Sequence, residues 1–88
     1  MKAEFKDSFA RDLKKVKDKS LLQRIKVTIE QVEQAMTPQE IDHLKHLAGS
    51  GHYYRIRIGD YRLGLRLEGE TIVFVRCLHR REVYRYFP

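Results

Sequence analysis

The stretch Tyr53-Tyr54-Arg55-Ile56-Arg57-Ile58, followed after Gly59-Asp60 by Tyr61-Arg62-Leu63-Gly64-Leu65-Arg66-Leu67, alternates polar and apolar residues with period two. That period sends successive side chains to opposite sides of an extended chain, so each run predicts a strand with one buried face. Gly59-Asp60 is a turn pair, because Gly, and to a lesser degree Asp, tolerates the positive φ of a two-residue hairpin loop. Such a loop dictates the register: Ile58 faces Tyr61, Arg57 faces Arg62, Ile56 faces Leu63 and Arg55 faces Gly64. One side is then Tyr54, Ile56, Ile58, Leu63 and Leu65, and the other carries Arg55, Arg57, Arg62 and Arg66. Directly opposed arginines repel and are normally avoided in a sheet. The reading is that something anionic sits between them.

Thr71 to His79 predicts a third strand. With Gly69-Glu70 as the loop, Leu67 pairs with Ile72 and Leu65 with Phe74 on the core side. Arg62 then pairs with Cys77, and His79 lies on the arginine side. The same register turns Arg76 toward the core, and a three-residue loop would invert the faces, so both registers stay open here. Arg80, Arg81 and Tyr84 follow directly, so the chain delivers a histidine, two arginines and a tyrosine to the region of the first cluster.

Eighty-eight residues predict one domain, able to bury about 60–65% of its unfolded surface around a small core. Apolar residues at 42% and charged residues at 34% fit a folded soluble protein and argue against wholesale disorder. No run of about 18 apolar residues is present, and MKAEFKDSF is charged throughout, unlike a secretory signal. The expectation is a cytoplasmic protein with no membrane partner. Cys77 stands alone and cannot form an internal disulfide, and it reads as a buried structural residue.

The formal net charge of +6 points to an acidic partner, and its distribution says more. Residues 1–50 hold ten Lys and Arg, eight of them Lys, against eight Asp and Glu. Residues 51–88 hold eight Arg, no Lys and four Asp and Glu. Solvated basic surfaces usually include lysine, whereas the planar arginine fork suits bidentate phosphate contacts and stacking on bases.

Upstream, Phe5, Phe9, Leu13 and Val16 recur at helical spacing and predict an amphipathic helix over roughly 6–18, with Asp7 or Ser8 as its cap. Periodicity leaves open whether Met1 to Phe5 adds a short edge strand. The basic run Lys14 to Lys19 reads as a solvated helix end. Ser20 is the expected cap of a second helix running to about Met36, with Leu22, Ile25, Ile29, Val32 and Met36 on one face. Two such helices form a hairpin whose apolar stripes need the apolar face of the sheet. Thr37-Pro38-Gln39-Glu40 is a helix start with a capping box, predicting a short turn of helix through Leu44 or so. His43 and His46 lack a third ligand at suitable spacing and read as solvated. Residues 47–52, Leu-Ala-Gly-Ser-Gly-His, read as a flexible lead-in to the sheet.

Two short amphipathic helices, a loop, YYRIRIGDYRLGL and a strand ending VRCLHRREVY resemble the RelE/ParE superfamily of bacterial toxins, specifically its RelE branch, over essentially the whole chain. The most specific pieces are Tyr54-Arg55-Ile56-Arg57, Gly59-Asp60-Tyr61-Arg62 and His79-Arg80-Arg81-Glu82-Val83-Tyr84. The resemblance implies a single RelE-like toxin domain over residues 1–88. Its fold would be α+β, with two N-terminal amphipathic helices packed on a small antiparallel sheet in two layers. It further implies the toxin of a type II toxin–antitoxin system, a metal-independent endoribonuclease that cleaves mRNA in the A site of the 70S ribosome and inhibits translation. The 2′-hydroxyl would attack the adjacent phosphate and leave a 2′,3′-cyclic phosphate, with no cofactor. A co-expressed, RelB-like antitoxin would wrap around the toxin. Arg55 and Arg57 match strand positions where several members carry lysines, Arg62 the strand arginine, Arg80 or Arg81 the C-terminal arginine, and Tyr84 the tyrosine.

The chemistry of these residues gives the implied roles content. Arg57 and Arg62 would clamp the scissile phosphate and stabilise charge on its oxygens. Tyr84 would stack on a base. Arginine stays protonated and is a poor general base. His79 is therefore the candidate for proton transfer, against the plainer reading of a strand-end residue bonded to backbone. Arg80 joins the catalytic group, beside the leaving oxygen, although Arg81 fits that role equally, and Arg55, Arg66, Arg81 and Arg85 are the expected RNA contacts. Two other readings use the same features: a ParE-type gyrase poison on the same fold, and a non-catalytic RNA-binding or ribosome-binding module.

Overall fold

A computed structural model describes residues 1–47, 49 and 51–88. The chain runs β1 (Lys2–Phe5), α1 (Asp7–Lys14), α2 (Lys19–Gln34), a 3-10 turn (Pro38–Glu40), β2 (Leu44–His46), β3 (Tyr53–Ile58), β4 (Tyr61–Glu68), β5 (Thr71–His79) and α3 (Val83–Tyr86). The strands form one sheet in the order β1-β5-β4-β3-β2. The expected hairpin register holds across β3 and β4, with Ile58 opposite Tyr61, Arg57 opposite Arg62 and Arg55 opposite Gly64. Gly59 and Gly69 each take a positive φ, 56° and 60°, as the first residue of a two-residue loop, where a Cβ would be strained.

The sheet is mixed, not antiparallel throughout. Lys2–Phe5 supplies the edge strand, and it runs parallel to β5 with Ala3 beside Ile72 and Phe5 beside Phe74. The helices and three other strands intervene between β1 and β5, and only so long a connection allows a parallel pair. Phe5, Phe9 and Phe74 then tie β1, α1 and β5 together, with ring centroids 5.1 to 5.9 Å apart.

Local capping differs from expectation at both helices. α1 starts after Lys6 with no side-chain cap, because Ser8 turns its hydroxyl to the Val75 carbonyl at 2.6 Å instead. Asp18 caps α2 two residues before Ser20, accepting from the Ser20 and Leu21 N–H groups at 2.9 and 3.2 Å. The Thr37-Glu40 capping box forms, but the turn it starts is only three residues long. His43 adopts φ 62°, and Leu44–His46 runs as a strand beside β3, beginning at Leu44 where the turn of helix was expected to end. His43 and His46 are exposed. The flexible lead-in expected over 47–52 includes Ala48 and Ser50, which lie outside the described residues.

α1 and α2 cover one face of the sheet, where Phe9, Ile25 and Val32 meet Ile56, Leu63, Leu65, Ile72 and Phe74 with almost no residual exposure. On the other face, α3 and the residue after it pack back onto β5 and β4 through a smaller apolar group: Val83 and Phe87 with Leu47 and Leu78. That partial cover was not anticipated, because four residues of helix are too few to show a period.

The register of β4 with β5 departs from expectation at one point. Leu67 pairs with Ile72 and Leu65 with Phe74 as expected, but Gly64 pairs with Arg76, leaving Val75 as an extra residue. Beyond this bulge every pairing shifts by one. Leu63, not Arg62, faces Cys77; Arg62 faces Leu78; and His79 lies opposite Tyr61, on the helix face, not with the arginines. The bulge resolves the conflict that put Arg76 in the core. Cys77 takes the core position, and Arg76 reaches around the free edge of β5 to Asp12 on α1, with Nε and Nη2 at 2.7 and 3.2 Å from the carboxylate. The same carboxylate accepts the Cys77 N–H at 2.9 Å, a ladder donor that has no neighbouring strand at this point. Asp12 is 6% exposed, and its hydrogen bonds, then its charge, hold the Arg76 pKa above its ordinary value against partial burial.

Breaking a buried pair by deleting one partner costs ~3–5 kcal/mol, and because part of Arg76 remains solvated the expected loss for Asp12→Ala is ~2–3 kcal/mol. Urea denaturation checks it, and a loss below ~1 kcal/mol would mean that water replaces the carboxylate without penalty. Burial also pushes the Cys77 thiol up to about 12. At pH 8 the native thiol is therefore expected to resist iodoacetamide until denaturant is added. Rapid labelling of the native chain would show that β5 opens.

Candidate functional site

The alternation in β3 and β4 places Arg55, Arg57, Arg62 and Arg66 on the face away from α1 and α2, as the hairpin register requires. Arg57 lies directly across from Arg62. The Arg62 guanidinium is held by its own hairpin: Nη1 donates to the Gly59 and Tyr61 carbonyls, each at 2.9 Å. Its pKa is lowered from the ordinary arginine value, first by partial burial, then by the positive charges of Arg55 and Arg57, with Arg80 adding and Tyr84 opposing. Four other predicted residues, Arg55, Arg57, Arg80 and Tyr84, are thus near enough to Arg62 to act on its charge. Arg55 Nε is sealed from solvent with no hydrogen-bond partner among the described residues. A buried N–H without an acceptor is costly.

Arg80 reaches the cluster because β5 ends beside the β3–β4 turn. Its backbone N–H donates to the Asp60 carbonyl at 2.7 Å, and its guanidinium lies 3.8 Å from the Asp60 carboxylate. Both side chains are well exposed, so this ion pair is weak and leaves Arg80 free to turn to another anion. Tyr84 projects from α3 with 70% of its surface exposed.

The remaining predicted residues are less closely drawn in. Arg66 pairs with Glu68, and hydrogen bonds to Tyr53 and then Glu68 raise its pKa. Arg81 and Arg85 are exposed, Arg85 with its guanidinium 5.5 Å from the centre of the Tyr86 ring. His79 is separated from the cluster by the sheet itself. Its ring meets Tyr61 edge-on at 5.5 Å, its Nδ1 accepts the Arg81 N–H at 3.2 Å, and it lines a cleft of about 320 Å³ with Asp12, Arg76 and Tyr86. The strand-end reading of His79 is the one its contacts support. Lys45 was missed. β2 places it directly opposite Arg55, so it shares the arginine face. Three alternating residues, Leu44-Lys45-His46, were too short a signal to reveal the strand.

Among the described residues, no cluster of three or more His, Cys, Asp or Glu side chains is arranged to hold a metal ion. What the face offers is a group of guanidiniums, one of them held by its hairpin, beside an exposed phenol. Such an array binds phosphate bidentately and presents a ring for stacking.

Residues 3–84 match the model of a family described as the ParE toxin of type II toxin–antitoxin systems. The chain is 40% identical to Toxin RelE3 of Methanocaldococcus jannaschii, over the whole of both sequences. Its fold is similar to that in a crystal structure of a RelB–RelE antitoxin–toxin complex from Methanococcus jannaschii, with a TM-score of 0.81 and 40% identity, covering 97% of this chain and 99% of the other. An archaeal RelE–RelB complex from Pyrococcus horikoshii matches with a TM-score of 0.72 at 22% identity, over 90% and 93% of the two chains, a likeness of fold. The chain therefore belongs to the RelE/ParE family of type II toxin–antitoxin toxins.

Proposed function

We propose that the protein is a metal-independent endoribonuclease that cleaves mRNA in the ribosomal A site and is held inactive by a RelB-like antitoxin. The observation that carries this reading is the unneutralised pair Arg57 and Arg62, directly opposed on the sheet with Arg55, Arg80 and Tyr84 around them. A scissile phosphate between the two guanidiniums removes their repulsion, and the benefit grows as charge builds on its oxygens. The 2′-hydroxyl attacks the adjacent phosphorus, the P–O5′ bond breaks, and the products are a 2′,3′-cyclic phosphate and a 5′-hydroxyl. Arg80 faces the leaving oxygen, and Tyr84 stacks on a flanking base and holds the 2′-oxygen in line. Arg55, Arg66, Arg81 and Arg85 contact the RNA backbone. The proton of the 2′-hydroxyl passes to water, and water returns a proton to the departing O5′. His79 lies across the sheet and takes no part, so the rate comes from positioning and charge.

The match to a family model described as ParE favours one second reading, a gyrase poison on the same scaffold. Induced expression in a bacterial host, followed by primer extension on a highly translated message, separates the two. Discrete new 5′ ends inside the coding region, absent with Arg62→Ala, are the expected result. Growth arrest with intact messages and an SOS response would replace the nuclease by the gyrase poison.

Arg62→Ala is expected to lower cleavage by ~10²–10³-fold, the usual effect of deleting one preorganised donor. Tyr84→Ala should lower it by ~10–100-fold, both variants keeping wild-type circular dichroism. His79→Gln is expected to stay within about threefold of wild type. A loss of more than ~100-fold in cleavage with RNA binding unchanged would return His79 to the proton-transfer role.

A further inference from the structure

Tyr84 makes no side-chain hydrogen bond among the described residues, and most of its surface is in water. Its place beside Arg62 is therefore set by its neighbours in the chain. α3 has four residues, far too few to be stable alone. Two apolar side chains one helical turn apart, Val83 and Phe87, bracket it and are 1% and 3% exposed. Phe87 accounts for a feature of β4 that is otherwise unexplained, the glycine in the middle of a buried strand. Gly64 does not have a positive φ, so backbone freedom is not the reason. The reason is room: a Cβ at Gly64 would come within 2.8 to 2.9 Å of three Phe87 ring carbons. Tyr53 closes the seat from the side, edge-on to Phe87 with centroids 5.5 Å apart and planes at 86°.

Gly64 is also the residue paired with Arg55 on one side and Arg76 on the other. The seat thus lies within the arginine face, two pairs along the hairpin from Arg57 and Arg62. We infer that Phe87, seated on Gly64, is a positioning residue that locks α3 and so holds Tyr84 near Arg62. Val83 and Phe87 belong to an apolar group separate from the main core, so loosening the lock frees Tyr84 without dissolving the packing of α1 and α2 on the sheet. The inference rests on the nuclease reading for its catalytic consequence, but not for its mechanics.

The test is a set of six proteins: wild type, Phe87→Ala, Gly64→Ala, Gly64→Ala with Phe87→Leu, Tyr84→Ala, and Tyr84→Ala with Phe87→Ala. Each is assayed for ribosome-dependent RNA cleavage and for backbone order by heteronuclear 15N NMR. Phe87→Ala and Gly64→Ala are each expected to lower cleavage ~10–100-fold, matching the loss of an ordered stacking ring. In both, order falls at residues 83–86 and is unchanged in β3 and β4. Phe87→Leu should restore Gly64→Ala to within about fivefold of wild type, because leucine lacks the outer ring carbons and can shift its Cγ and Cδ atoms away from the new methyl group. Phe87→Ala should add less than about twofold to Tyr84→Ala, since the effect of Phe87 passes through Tyr84. Multiplicative loss in that double variant, or no restoration by Phe87→Leu, overturns the lock. If Phe87→Ala does not fold, the Gly64→Ala pair decides alone. If wild type cleaves no RNA, the nuclease reading fails, and unchanged order at residues 83–86 in Gly64→Ala would separately overturn the mechanics.

Discussion

One extra residue in β5 decides which side of the sheet everything after it occupies. Without the bulge at Val75, strict alternation from Phe74 would bury Arg76 in the core and send Cys77 to the arginine face. A guanidinium buried among Leu63, Leu65 and Phe9 without an acceptor would cost several kcal/mol. The bulge exchanges the two. Cys77 enters the core, Leu78 turns outward to receive α3, and Arg76 emerges at the free edge of β5, where Asp12 meets it. Asp12 does two things there, neutralising Arg76 and accepting the Cys77 N–H that no strand could take. α1 thus serves as the closing element of an edge that would otherwise expose backbone donors.

The face opposite the helices has a different logic. Its arginines are held close together by a hairpin whose stability comes from the other side, from Ile56, Ile58, Leu63 and Leu65 against the helices. Burial of those residues is strong enough to fix Arg57 opposite Arg62 despite their repulsion. The strain is local and electrostatic, and an anion relieves it. Functional surfaces commonly carry such conflicts with local rules, the rest of the fold supplying the stability that tolerates them.

α3 joins the two parts of the molecule. It depends on Leu78, which faces outward only because of the bulge, and on the absence of a side chain at Gly64. It carries Tyr84 to Arg62, while Tyr86 faces the other way, toward Arg76, whose guanidinium lies 6.0 Å from its ring centre. The tyrosine of the candidate site and the ion pair of the scaffold are therefore linked through four residues of helix.

Period and turn chemistry alone determined the hairpin, its register and the four arginines on one face. A two-residue loop with glycine at its first position leaves only one pairing, and the pairing assigns every side chain to a face. The helices, too, were legible, since apolar residues at 3.6-residue spacing can bury themselves only on one side. Tertiary structure decided what depends on contacts between distant segments. The bulge arises because Arg76 must find Asp12, 64 residues away. The consequence is that His79 changes face, a reversal that no local pattern in Thr71 to His79 reveals. β1 could join in parallel only once the helices had carried the chain across, and β2, at three residues, exists only because β3 offers it an edge. Gly64 looked like a weak point in a strand until Phe87 was found above it. In each case the sequence supplied the side chains, and burial and unmet hydrogen bonds chose among the arrangements those side chains allow.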